Sequence, residues 1–180
     1  SKSLEVKIPY AMAGSLTELD VNSISAPVSI QAIGGAETKV SCVSGAIHIS
    51  DISCRELDLE TVSGGIRGEN IQATELDMES VSGTVDVFGA FQEVNGSSVS
   101  GNLTLRSDTC PRKVEAETVS GGIRLQIPEN DGFTARYHTV SGQFYSNFPT
   151  MAEKKRAVYK NGGAEFSFET VSGSMDIERI

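Results

Sequence analysis

The sequence predicts an all-β fold: a parallel β-solenoid of about eight rungs, with a hairpin-like insertion before the last. Three observations lead there. The tripeptide Val-Ser-Gly begins at Val43, Val62, Val81, Val99, Val119, Val140 and Val171, with a degenerate Ile24-Ser25-Ala26 ahead of them. From Ile24 the steps are 19, 19, 19, 18, 20, 21 and 31 residues. The flanking residues alternate apolar and polar in the same columns of every copy, the signature of half-buried strands. A unit this short cannot bury its apolar side alone, whereas stacked units share one core. Stacking at about 4.8 Å per rung sets like residues over like. It accounts for "ETVSGGIRG" (Glu60–Gly68) returning as "ETVSGGIRL" (Glu117–Leu125). An antiparallel sandwich also has many evenly spaced strands, but its strands need no shared tripeptide.

The elements follow in order. Residues 1–18 read as an incomplete first rung, because "LEVKIP" (Leu4–Pro9) matches "IRLQIP" (Ile123–Pro128), with Leu4, Val6 and Ile8 placed like Ile123, Leu125 and Ile127. The chain is therefore expected to be a domain excised from a longer protein. Residues 19–146 hold the regular repeats. Five residues before each Val stand Leu19, Thr38, Leu57, Leu76, Val94, Val114, Ala135 and Phe166. Three before it stand Val21, Val40, Leu59, Met78, Gly96, Ala116, Tyr137 and Phe168. A second strand presents Ile47, Ile66, Val85, Leu103 and Ile123 four residues after the Val. The two strands have opposite parity, and the Val shares the parity of the second. A straight strand cannot bury both sets, so the backbone must turn at the tripeptide. Glycine suits that corner, by accepting positive φ and by having no Cβ.

Residues 147–165 read as an insertion, in which "KNGG" (Lys160–Gly163) signals a hairpin between Ala157-Val158-Tyr159 and Ala164-Glu165-Phe166. The preceding "MAEKKRA" is the alternative place for a helical turn. Residues 166–180 form the last rung. Eight of the eleven aromatics follow residue 132. They read first as a bulky plug for the C-terminal end. The sharper reading is a ligand-binding surface carried by Phe144, Tyr145, Phe148 and Tyr159.

The chemistry in the repeat is sparse. The Ser of each tripeptide recurs in every copy, while the whole chain has two histidines, His48 and His138, both in solvent-facing columns. A nucleophilic serine needs its own base and oxyanion hole, so the serines are expected to form a hydroxyl ladder bonded to neighbouring rungs. No catalytic residue is assigned. Outward-facing hydroxyls would make an ice-binding array, but the column before the Val is mixed: Ser23, Cys42, Thr61, Ser80, Ser98, Thr118, Thr139 and Thr170. Outer columns carry Asp20, Asp58, Asp77 and Glu115, then Glu60, Glu79, Glu117 and Glu169, interrupted by Lys39 and Arg136. Calcium between rungs is conceivable, yet the column reads as a solvated face. "PENDG" (Pro128–Gly132) reads as a turn. Nothing gathers the Asp, Lys and Arg cluster of a pectin-lyase-like site, and no metal or other cofactor is assigned. Cys42, Cys54 and Cys110 have no metal spacing. Cys54 and Cys110 lie three rungs apart, about 14 Å, too far to bridge, so three free thiols are expected.

The formal net charge of −9 repels nucleic acid and anionic headgroups. No apolar run approaches the roughly 20 residues of a membrane span. The repeated Thr/Ser-Val-Ser-Gly, with the late "FP…KNGG…FETVSGSMDI", resembles a bacterial adhesin-type family of β-strand-repeat domains that otherwise counts as a domain of unknown function. The resemblance covers Leu4 to Ile180. It implies a right-handed parallel solenoid attached to a membrane or cell-surface protein, and it brings no catalytic residues. The expected function is a non-enzymatic interaction module, presenting a regular acidic face to a protein or glycan partner at the cell surface. The alternatives are an intracellular scaffold self-associating through its solenoid ends and, behind it, a carbohydrate-active enzyme.

Overall fold

The computed structural model describes residues 9–180; the expected half-rung strand at Leu4–Ile8 lies outside them. One helical turn, α1 (Tyr10–Ala13), precedes fifteen strands in one coiled sheet. These are β1 (Leu16–Ser23), β2 (Val28–Gln31), β3 (Gly34–Cys42), β4 (Ile47–Thr61), β5 (Ile66–Ser80), β6 (Val85–Ser98), β7 (Leu103–Ser107) and β8 (Lys113–Thr118). They continue as β9 (Ile123–Ile127), β10 (Gly132–Thr139), β11 (Gln143–Ser146), β12 (Met151–Glu153), β13 (Arg156–Lys160), β14 (Ala164–Thr170) and β15 (Ser174–Arg179).

The predicted β-solenoid is present. Strands before the tripeptide stack in the order β1-β3-β4-β5-β6-β8-β14-β10, all parallel and in repeat register: Leu57 lies between Thr38 and Leu76, and Leu59 between Val40 and Met78. Strands after it stack through β2, β4, β5, β6, β7, β9, β15 and β11. The columns five and three residues before the Val meet those four and six after it in one core, where Val40, Ile47, Leu57, Leu59, Leu76, Val85 and Val87 are fully buried.

Only about six turns run in chain order, fewer than the eight expected. After β9 the chain skips a layer to lay down β10 and β11, and the final repeat returns to fill the gap. β14 pairs with β8 on one side and β10 on the other, and β15 lies between β9 and β11. The long last step is the connection that makes this return.

Two further expectations are corrected. "KNGG" does not join a hairpin, because β13 and β14 lie on opposite sides of β10. "MAEKKRA" is not helical but forms the hairpin β12–β13, with Glu153 opposite Arg156. β13 runs antiparallel to β10 and closes that edge. The late aromatics plug this end: the Phe133 ring meets Phe166 at 5.1 Å, Phe148 edge-on at 5.3 Å and Tyr159 at 5.5 Å.

Candidate partner-binding groove

The Thr/Ser-Val-Ser-Gly segment is the corner of each rung, and each of its four residues has a separate task. The residue before the Val points inward, and its side chain accepts the buried Gly N–H three positions on: Thr61 Oγ1 from Gly64 at 3.0 Å, Ser80 Oγ from Gly83 at 2.9 Å, Ser98 Oγ from Gly101 at 2.9 Å. Cys42 fills the column with its sulfur, 3.1 Å from the Gly45 nitrogen. The Ser hydroxyls donate to the preceding layer's Val carbonyl, Ser63 to Val43 at 3.2 Å and Ser82 to Val62 at 3.1 Å, the carbonyl that also takes the Ser backbone N–H. The ladder follows space rather than sequence, for Ser141 donates to Val171.

The glycines are needed for close approach alone. A Cβ on Gly64 would stand 1.8 Å from the carbonyl oxygen of Gly45, and on Gly83 1.7 Å from that of Gly64. Positive φ among the described glycines occurs at Gly132 and Gly162, not at the corners, so that part of the expectation fails. The left-handed residues mark the opposite corner instead: Ala32, Asp51 and Asn70, each eight residues after the first residue of its tripeptide. Where that residue is missing, the step shortens to 18 and the register shifts between Gly68 and Ile71.

The corner valines do not join the buried parity of the second strand. The backbone reverses its facing within the tripeptide, leaving Val43, Val62, Val81, Val99, Val119 and Val171 46–49 % exposed and Val140 77 %. They line up as an apolar ladder across adjacent layers. Beside it runs the column two residues before the Val, in which the pairs Glu60–Glu79 and Glu117–Glu169 are separated by Ser97 and flanked by Ser41 and His138. Between these banks lies a continuous groove of about 720 Å³, floored by the inward Thr and Ser column.

The acidic bank is self-repelling. Asp58 lies directly over Asp77, Glu60 over Glu79, and Glu117 over Glu169; like charges so placed destabilise a sheet. The Asp58 carboxyl is raised above its ordinary range, by burial first and by Asp77 second. Glu37, Glu56 and Asp58 each bring a carboxylate oxygen within 4.8 Å of the others. Relief is partial: Lys39 reaches Glu60 at 3.2 Å, and Asn95 donates to Asp77 at 2.8 Å.

The four aromatic candidates are not brought to one surface. Phe148 and Tyr159 are buried in the end plug. Phe144 stacks on Tyr137 at 4.2 Å, and Tyr145 is 58 % exposed. The sequence signal for the groove was the parity conflict at the corner. It can be met either by burying the valines or by turning at them, and the chain turns. All three cysteines are free thiols. Both histidines are exposed. No helix of the described residues is long and apolar enough to cross a membrane.

Residues 1–178 match the family model described as Toastrack DUF4097. No curated protein and no solved structure matches the chain.

Proposed function

We propose that this chain, which belongs to the Toastrack DUF4097 family of unknown function, is a non-catalytic interaction module that binds a cationic segment of a partner protein along its corner groove. The observation that carries the reading is the pairing of a half-exposed valine ladder with a bank of stacked carboxylates along one groove. A segment bearing Lys or Arg beside aliphatic residues covers the valines and neutralises the glutamates together. The mutual repulsion of Glu60 with Glu79 and of Glu117 with Glu169 adds to the gain, because a bound cation relieves it. A soluble glycan offers neither the positive charge nor an aliphatic edge, so a protein is the better partner. Adhesion-type presentation from a larger surface- or membrane-associated protein fits this role. A rigid rod with one recognition stripe can engage a partner at a distance from its anchor.

The test is a titration of the domain with a fluorescent peptide alternating Lys and Leu, against the variant E60Q/E79Q/E117Q/E169Q. Exposed pairs are worth about 0.2–1 kcal/mol each, so losing four weakens binding by about fourfold to several-hundredfold. Added salt weakens the native interaction and barely touches the variant's. Equal affinity for both proteins, with no salt dependence, contradicts the reading.

A further inference from the structure

A second site lies at the capped end, meeting the corner groove at His138 and Glu169. The hairpin β12–β13 turns through Lys154 and Lys155, whose φ angles are 50° and 91°. That is the φ pattern of a two-residue type I′ turn, which Asn-Gly occupies with least strain. Lysine has no conformational reason to hold either position, and an unfavourable backbone retained at one place points to a use for the side chains there. The surroundings agree. Arg156 lies directly opposite Arg136 of β10, a like-charge pair across an antiparallel ladder. The turn is fixed to β10 by the Tyr137 N–H, which donates to the Lys155 carbonyl at 3.0 Å. Lys155 Nζ stands 3.2 Å from His138 Nδ1. Among the described residues, none of Arg136, Lys154, Lys155 and Arg156 forms an ion pair. All four border one open cleft of about 540 Å³, together with the carboxylates of Glu153 and Glu169. Four cations against two carboxylates leave a positive site on a molecule whose net charge is −9.

We infer that this cleft binds a phosphate group. Two arginines in register supply planar forks that match phosphate oxygens, and the two lysines of the turn supply flanking point charges. The acidic remainder of the molecule repels a continuous anionic surface, so a soluble phosphomonoester fits better than a lipid headgroup. The inference rests on the four cations of the turn and β10, none of which lines the corner groove, although the two sites share His138 and Glu169.

The experiment titrates the isotope-labelled domain with inorganic phosphate and then phenyl phosphate, followed by amide shifts. Saturable shifts confined to Arg136–His138 and Glu153–Arg156 are expected, and R136Q/R156Q weakens binding by at least about tenfold. K154N/K155G also weakens binding while raising the melting temperature by about 3 °C, because it installs the preferred turn. Sedimentation with phosphatidylcholine vesicles, with and without phosphatidic acid, separates the sources. Shifts with soluble phosphate and no added sedimentation identify the soluble group; sedimentation with phosphatidic acid that R136Q/R156Q abolishes identifies the headgroup. Absence of saturable binding to every probe overturns the inference, as does unchanged binding in R136Q/R156Q or a lowered melting temperature in K154N/K155G.

Discussion

At the scale of single residues, the repeat is literal because its corner is sterically exact. A carbonyl oxygen occupies the place where a side chain would begin, so only glycine fits at Gly64, Gly83, Gly101, Gly121 and Gly173, where an added Cβ would stand 1.7–2.0 Å from the neighbouring layer's oxygen. Gly83→Ala is expected to destabilise by about 1–3 kcal/mol, the range of a core overpacking. Gly65→Ala, whose Cβ would stand 3.4 Å from the Thr84 oxygen, is expected to change stability by under about 0.5 kcal/mol. Urea unfolding of the two variants gives the contrast directly. The thiols offer a second test. Burial raises Cys54 and Cys110 to about 11, so at neutral pH little thiolate forms and a disulfide-exchange reagent modifies them far more slowly than a free thiol. Reaction of the native protein at the unfolded rate would contradict this. The free state of the cysteines was legible from spacing, whereas the φ of the corner glycines was not. Close approach and positive φ leave the same letter in a sequence.

At the scale of elements, strands whose neighbours are their own repeats were legible, because period-two columns fix both facing and register. Leu57, Leu76 and Val94 fall in one buried column as the pattern requires. The insertion was less legible. "NGG" satisfies a hairpin rule, but a chain that must cross β10 also needs a sharp turn there, and local chemistry does not distinguish them. Lys154-Lys155 carried no turn signal because its conformation runs against propensity. The turn before β10 is held by one carboxylate. Glu129 accepts from Lys160 at 2.6 Å, Arg179 at 2.9 Å and the Tyr159 hydroxyl, tying the turn to β13 and β15. These bonds, Lys160's the largest, hold its carboxyl down to about 2 against an ordinary 4.5. A depressed folded-state pKa gives stability that is complete above the unfolded value and lost as pH falls through the folded one. The melting temperature of native protein should therefore exceed that of E129Q by a constant amount above about pH 5, with the gap closing toward about pH 2. A gap unchanged across that window contradicts the clasp.

At the scale of the whole molecule, the stack was legible and its order was not. Register columns say which residues share a layer type, and they are silent on which layer lies next to which. The copies at Val140 and Val171 have the same corner chemistry, Thr-Val-Ser-Gly, so the tripeptide does not tell their layers apart. What decides the order is the hairpin β12–β13, which occupies the far edge of β10 and leaves the last repeat only the gap beside β8 and β9. The groove depends on this order, because it sets Glu169 beside Glu117 and completes the acidic bank. Val119 and Val171 are then adjacent, about 4.8 Å apart, within the usual Cα range of a disulfide, about 4.4–6.8 Å. Val119 and Val140 are two layers apart, about 9.6 Å, beyond it. The decisive measurement is oxidative cross-linking of V119C/V171C and V119C/V140C after the three native cysteines are replaced. An intramolecular bridge in V119C/V171C alone is the predicted result. A bridge in V119C/V140C and none in V119C/V171C would show the repeats stacked in chain order and would remove the groove as described.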